Sequence, residues 1–183
     1  KYLVILGYRG GKTTLDGKDA TQNNPGSILW GTVSLSDGEP GAGENRNNAE
    51  IVLKISGDVP FEAAEIGLGS RGDVRSCSDL LVDNDHRLWI SAALDGGDRG
   101  PFRSVIYLAG KIDLGDSRMP VKLYNEPVVY WTGEGIEIEA IGPPPAFAGT
   151  LDALNEKSPG LMSIGTDDED LGSIWKLAVL KKQ

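Results

Sequence analysis

Pro127–Gly142 reads PVVYWTGEGIEIEAIG, and this stretch decides the fold class. In its second half Ile136, Ile138 and Ala140 fall on one side of an extended chain and Glu137 and Glu139 on the other. That is the period of a strand with one dry and one wet face. In its first half, Val128 to Trp131 is apolar at every position, the mark of a strand covered on both faces. The link Thr132-Gly133-Glu134-Gly135 between two such runs predicts a β-hairpin.

The same period recurs outward from this hairpin. Arg103–Leu114 carries Ile106, Leu108, Ile112 and Leu114 on one face, and His86–Leu94 carries Leu88, Ile90, Ala92 and Leu94. Ala49–Ser56 alternates cleanly, with Ala49, Ile51, Leu53 and Ile55 opposed to Glu50 and Lys54. Tyr2–Leu6 is a continuous apolar run and reads as a buried strand. Ser27–Ser36, Asp79–Val82 and Pro120–Tyr124 are further strands, and Ser173–Leu180 closes the series with Trp175, Leu177 and Val179 on one side. Gly7–Gly26, Asp37–Asn48 and Ser70–Ser78 read as loops, and so does Gly142–Gly172 apart from a short helix around Leu151–Asn155. About nine or ten strands without an amphipathic helix of about ten residues predict an all-β protein. The expected architecture is one antiparallel β-sandwich over residues 1–183, jelly-roll-like, with long loops rich in Gly, Asn and Asp.

Composition narrows the partners. The 183 residues carry a net charge of −9 and 25 glycines. No basic stripe is present to neutralise phosphates, so a nucleic-acid partner is not expected. No stretch reaches the ~18 apolar residues of a membrane span. The single cysteine, Cys77, cannot form an intrachain disulfide and reads as a bystander thiol. No secretion signal is seen in the chain.

The motifs that suggest chemistry fail on spacing. Gly10-Gly11-Lys12-Thr13 after a strand resembles a phosphate loop, but the glycine that motif requires falls on Leu6, and no helix follows. Arg71-Gly72-Asp73 is a three-residue match in a turn. One histidine, His86, and one cysteine exclude the usual zinc sets. Glu137 and Glu139, about 7 Å apart on one strand face, read as a wet edge rather than a glycosidase pair. No cofactor is expected. The metal reading left open is calcium on the loop carboxylates Asp83, Asp85, Asp167 and Asp168. The four tryptophans all lie in expected strands. Trp30, Trp89 and Trp131 are the candidates for stacking on sugar rings.

From Arg103 on, the order FRSVIYLAGKIDL, PVVYW, Gly turn, IEIEAIG, irregular link and SIWKLAVLKK resembles the C-terminal half of jelly-roll proteins that decorate or cement the shells of tailed phages. The resemblance covers residues 103–180. It implies a non-catalytic protein at the surface of a virion or similar particle, assembled as a homo-oligomer, with a trimer favoured and a protein shell as partner. The two-faced apolar run predicts the interface: Val128, Tyr130 and Trp131 should be covered by a neighbouring subunit unless they lie between two layers of their own domain. The alternative function is a carbohydrate-binding module or lectin that takes a glycan through the tryptophans, with or without calcium.

Overall fold

The computed structural model describes residues 2–8, 11–12, 23–24, 26–36, 50–61, 74–95, 102–143, 160–166 and 174–182. Every regular element among them is a β-strand and every pairing is antiparallel. In chain order the strands are β1 (Tyr2–Tyr8), β2 (Gly11–Lys12), β3 (Asn23–Asn24), β4 (Gly26–Ser36), β5 (Glu50–Phe61) and β6 (Val74–Val82). They continue with β7 (Arg87–Asp95), β8 (Phe102–Ile112), β9 (Val121–Glu134), β10 (Ile138–Gly142), β11 (Leu161–Thr166) and β12 (Ile174–Val179). They form sheets of order β1-β4-β5, β6-β7-β8-β9 and β10-β11-β12, with β2-β3 as a short ladder. The second and third sheets are meanders. The Greek-key crossing of a jelly roll is not among the described pairings.

The sheet β6-β7-β8-β9 is central, because successive residues of its inner strands enter two different cores. Leu88, Ile90 and Ala92 of β7, with Val105, Tyr107 and Ala109 of β8, pack against Ile28, Trp30 and Phe61 of the first sheet. Trp89 and Ile106, from the alternate positions, pack against Ile138, Ile141, Met162, Ile164 and Ala178 of the third. A strand buried on both faces reads as a near-continuous apolar run, and LWISAAL and SVIYLAG are such runs. Polar side chains hold the third sheet in place. The Ser104 hydroxyl donates to the Ile136 carbonyl at 2.8 Å and accepts from the Ile138 amide at 2.9 Å. Asp79 Oδ2 accepts from the Ile141 amide at 2.8 Å. Both ends of β10 are therefore tied to the central sheet.

The expected hairpin is corrected here. Pro127–Gly142 does hold two strands, but β9 pairs with β8 and β10 with β11. Thr132 to Glu134 continue β9, and the chain turns at Gly135, whose φ of 69° suits a residue without a side chain. The link is a corner between two layers. Glu137 lies just past that corner and is 6% exposed. A register irregularity between Ile138 and Ala140 breaks the alternation further. Glu137 and Glu139 therefore share no wet face.

The strands Pro120–Tyr124 and Val128–Trp131 are one strand, β9. Opposite Leu108–Gly110 of β8, the partner positions jump from Val128 to Leu123, so Tyr124 to Pro127 bulge out. Proline is tolerated there because β9 is an edge strand and a bulge needs no ladder donor. The same irregularity switches faces along β8: Leu108 packs on the second core, whereas Ile112 belongs to the first. Leu114 lies beyond the strand in an exposed turn. Three other segments expected to be irregular contain strands: Gly7–Gly26 holds the end of β1 and the short β2 and β3, Val74–Ser78 lies within β6, and Leu161–Thr166 is β11. Their polar and glycine-containing sequences hide the period. The expected helix at Leu151–Asn155 lies outside the described residues.

Candidate interaction surfaces

One face of the first sheet is covered around Ile5, Ile28, Trp30 and Val59, with Leu3 and Val52 at its far end still 42% and 41% exposed, and the other face is open. Ile28 and Trp30 of β4 enter the core, with Ile5 of β1 and Val59 of β5 against them. Alternation therefore turns Tyr2, Val4, Leu6 and Tyr8 outward on β1, and Leu29 and Val33 outward on β4. On β5 the register breaks between the partners of Trp30 and Gly31, which face Gly57 and Ile55, so Ser56 is the extra residue. This bulge reverses the sense of the strand. Val59 points inward, while Ile51, Leu53 and Ile55 share the outer face with Val33 and Tyr2. The rungs Tyr2/Val33/Leu53 and Val4/Gly31/Ile55 carry no polar side chain, and Asp58, across from Leu29, puts a carboxylate at the border. Tyr2 is 71% exposed and Ile51 70%. Single exposed apolar residues are ordinary, but a continuous field of them marks an interaction site.

The third sheet presents a second apolar strip. Ala178 and Leu180 enter the core, so Trp175, Leu177 and Val179 of β12 point away from it, and all three are exposed. The apolar side of this strand is thus its outer side. Trp175 is 56% exposed and stands across from Gly165, with the Ala140 methyl beyond it on the same rung. Since β12 is an edge strand, its outer backbone edge lies beside this strip.

The residues singled out in the sequence lie elsewhere. Trp30 is 5% exposed and Trp89 3%, one in each core. Burial leaves neither ring a face for a sugar. Trp131 is half-buried against the second core. Val128, Tyr130 and Trp131 lie on a strand flanked by two layers of its own chain. Val129 packs on the first core and Tyr130 on the second, where its ring meets Trp89 edge-on at 5.1 Å. The outer backbone edge of β9 is engaged too, because the Tyr130 carbonyl accepts from the Lys181 amide at 2.9 Å.

Asp83 is saturated by its own turn. Oδ1 accepts from the amides of Asp85 and Arg87, and Oδ2 accepts from Arg87 Nε at 2.6 Å and Trp89 Nε1 at 2.8 Å. Asp85 pairs with the same guanidinium at 3.2 Å. These contacts close the β6–β7 turn, in which His86 takes a φ of 59°. They also leave Asp83 little capacity for calcium. Asp167 and Asp168 lie outside the described residues, among which no group of three or more His, Cys, Asp or Glu is placed to hold a metal ion. Partial burial pushes the Asp83 carboxyl up, but the hydrogen bonds from Trp89 and Arg87 outweigh it and hold the group below the usual carboxylate range. A depressed folded-state value means that Asp83 contributes stability above the unfolded value of about 4, and that this is lost as pH falls through the folded value. In urea titrations the midpoint should drop on acidification below about pH 4, and Asp83→Asn should flatten that part of the profile.

Cys77 is buried against Gly7 of β1. Burial, and secondarily the Asp79 carboxylate, push its thiol up to about 12. A thiol held in that state is not a nucleophile at neutral pH. A disulfide reagent at mildly alkaline pH should leave the native protein unlabelled and modify one thiol per chain only in denaturant. Labelling of the native protein would contradict the packing of β1 on β6.

No family model, curated protein or solved structure matches this chain.

The two surfaces that stand out were partly visible beforehand. Tyr2–Leu6 is apolar on both faces, the criterion that drew attention to Val128–Trp131. What alternation does not tell is which face this chain covers itself.

Proposed function

We propose that this protein is a non-enzymatic assembly module, a β-sandwich that forms a homo-oligomer at the surface of a virion or comparable particle. One observation carries the reading: after both cores are closed, the two outermost sheets still present contiguous apolar faces to solvent. An acidic chain of net charge −9 is otherwise well suited to stay dispersed, so uncharged faces of this kind point to contacts made on assembly. The particle setting rests on the order of segments in residues 103–180 alone, since the turn at Gly135 joins two layers and does not close a hairpin. Light scattering on the purified chain should give a mass that is a whole multiple of the protomer. A strictly monomeric species at every concentration, with no shell or fibre partner, would end this reading.

A second reading rests on Trp175, an exposed indole on a rung otherwise occupied only by Gly165 and the small Ala140, which suits a stacking platform for a pyranose ring. Binding on a glycan array that is lost in Trp175→Ala would support it. Absence of binding across neutral and acidic glycans would remove it.

A further inference from the structure

We infer that two copies of this chain pair through the outer face of the first sheet, in a two-fold contact centred on β4. The inference rests on the assembly reading above and names its surface. Tyr2, Leu6, Tyr8, Ile51, Leu53 and Ile55 all point to that side, and each is between 37% and 71% exposed. With ~180–230 Å² for a fully exposed side chain of these types, they leave ~600 Å² of side chain uncovered on each copy. That is at the upper end of the largest patch on an ordinary monomer. Face-to-face pairing of two copies removes ~1,200 Å² from water, the lower bound for stable specific interfaces. Sheets pack in this way at about 10 Å, with alternate side chains interdigitating. At the central rung Gly31 lets β5 come close, since a Cβ there would lie 2.3 Å from the Lys54 carbonyl oxygen, and Val4 and Ile55 flank it on the neighbouring strands.

Charge also points to a second copy. The two apolar rungs lack the charged groups with which an acidic or basic partner would be selected, and Asp58 stands only at the border. Both copies carry −9, so their long-range interaction is repulsive and the contact itself supplies the attraction. Added salt screens that repulsion. The dimer should therefore tighten as salt is raised, whereas a contact held by opposite charges would loosen.

One patch that meets itself closes a dimer. A ring of three requires two different patches to meet. The β12 strip is a second apolar patch, but it lies on the far side of the three-layer stack. Joining it to the first sheet of another copy would extend a chain of molecules rather than close a ring.

Sedimentation velocity over a range of concentrations tests this on wild type, Leu53→Lys, Ile51→Lys and Leu177→Lys. A wild-type dimer is expected. Either substitution on the first sheet should raise its dissociation constant at least about thirtyfold, while Leu177→Lys leaves it unchanged. Near-UV circular dichroism checks that each variant is folded. The two first-sheet variants sit at different rungs, so one remains informative if the other folds poorly. Persistence of the oligomer in both, its loss only in Leu177→Lys, a wild-type trimer, or weakening by salt would each overturn this inference and leave the assembly reading standing. A wild type that is monomeric throughout would overturn this inference, and one that also has no shell or fibre partner would overturn the assembly reading with it.

Discussion

Trp89→Ala is expected to lower the unfolding free energy by about 3–5 kcal/mol. That is a large share of the ~5–15 kcal/mol that holds a typical domain together. Trp89 is nearly fully buried in the core between the central and third sheets, edge-on to Tyr130. Truncation removes the ring and leaves a cavity between two sheets that cannot easily close, because Ser104 and Asp79 hold β10 at a fixed height. The hydrogen bond to Asp83 is a smaller part. Asp83 keeps its two amides and Arg87, so losing the indole N–H costs about 1.5 kcal/mol, the low end for a hydrogen bond to a charged group. Trp89→Phe separates the two effects and should retain most of the stability. Chemical denaturation with an unchanged slope is the measurement. A loss below about 1 kcal/mol for Trp89→Ala, within the range of a surface substitution, would contradict a second buried core.

The second large effect is expected at Gly110→Ala. A Cβ at this position would lie 2.3 Å from the Lys122 carbonyl oxygen, 2.9 Å from Leu123 Cα and 3.0 Å from the Lys122 carbonyl carbon. All three obstacles are backbone atoms of β9, so no side-chain rotation relieves the clash. The ladder between β8 and β9 must open at the irregularity where β8 changes the core it serves. A destabilisation of about 3 kcal/mol is expected, the upper range for overpacking. Gly142→Ala is the control. Nothing lies within 4 Å of its added Cβ, and thermal melting of that variant should stay close to wild type. If Gly110→Ala melts like Gly142→Ala, the close approach of β8 and β9 is wrong.

Much of the fold was legible in the residues. Period two marks β7, β8 and the first half of β5, and the apolar residues of Ser27–Ser36 mark β4, but β5 runs on through Gly57 and Asp58 to Phe61, past the expected end at Ser56. Strands hidden by polar residues, such as Val74–Ser78 of β6, were not legible, because its two apolar residues, Val74 and Cys77, are three apart and show no period of two. The proline in β9 suggested two strands where a bulge on a sheet edge allows one. The candidate surfaces were legible only as apolar runs. Tyr2–Leu6 reads as a buried strand and Ala49–Ser56 as one with an apolar and a charged side, and for Ile51, Leu53 and Ile55 one extra residue, Ser56, turns the apolar side outward.

By itself, then, the order of residues determined that the chain is antiparallel β, that Trp89 and Leu88 point to opposite sides of one strand, and that no common zinc set can be built. These follow from local rules: the two-residue repeat of a strand and the inventory of side-chain donors. Tertiary structure alone decided that β9 and β10 belong to different layers, that the central sheet is buried twice, and that the open apolar faces belong to β1-β4-β5 and β12. The physical reason is that alternation defines two sides of a strand without saying what covers either. Covering depends on contacts between segments far apart in the chain. A single bulge or a corner at one glycine reassigns the side without altering the pattern by which it was recognised.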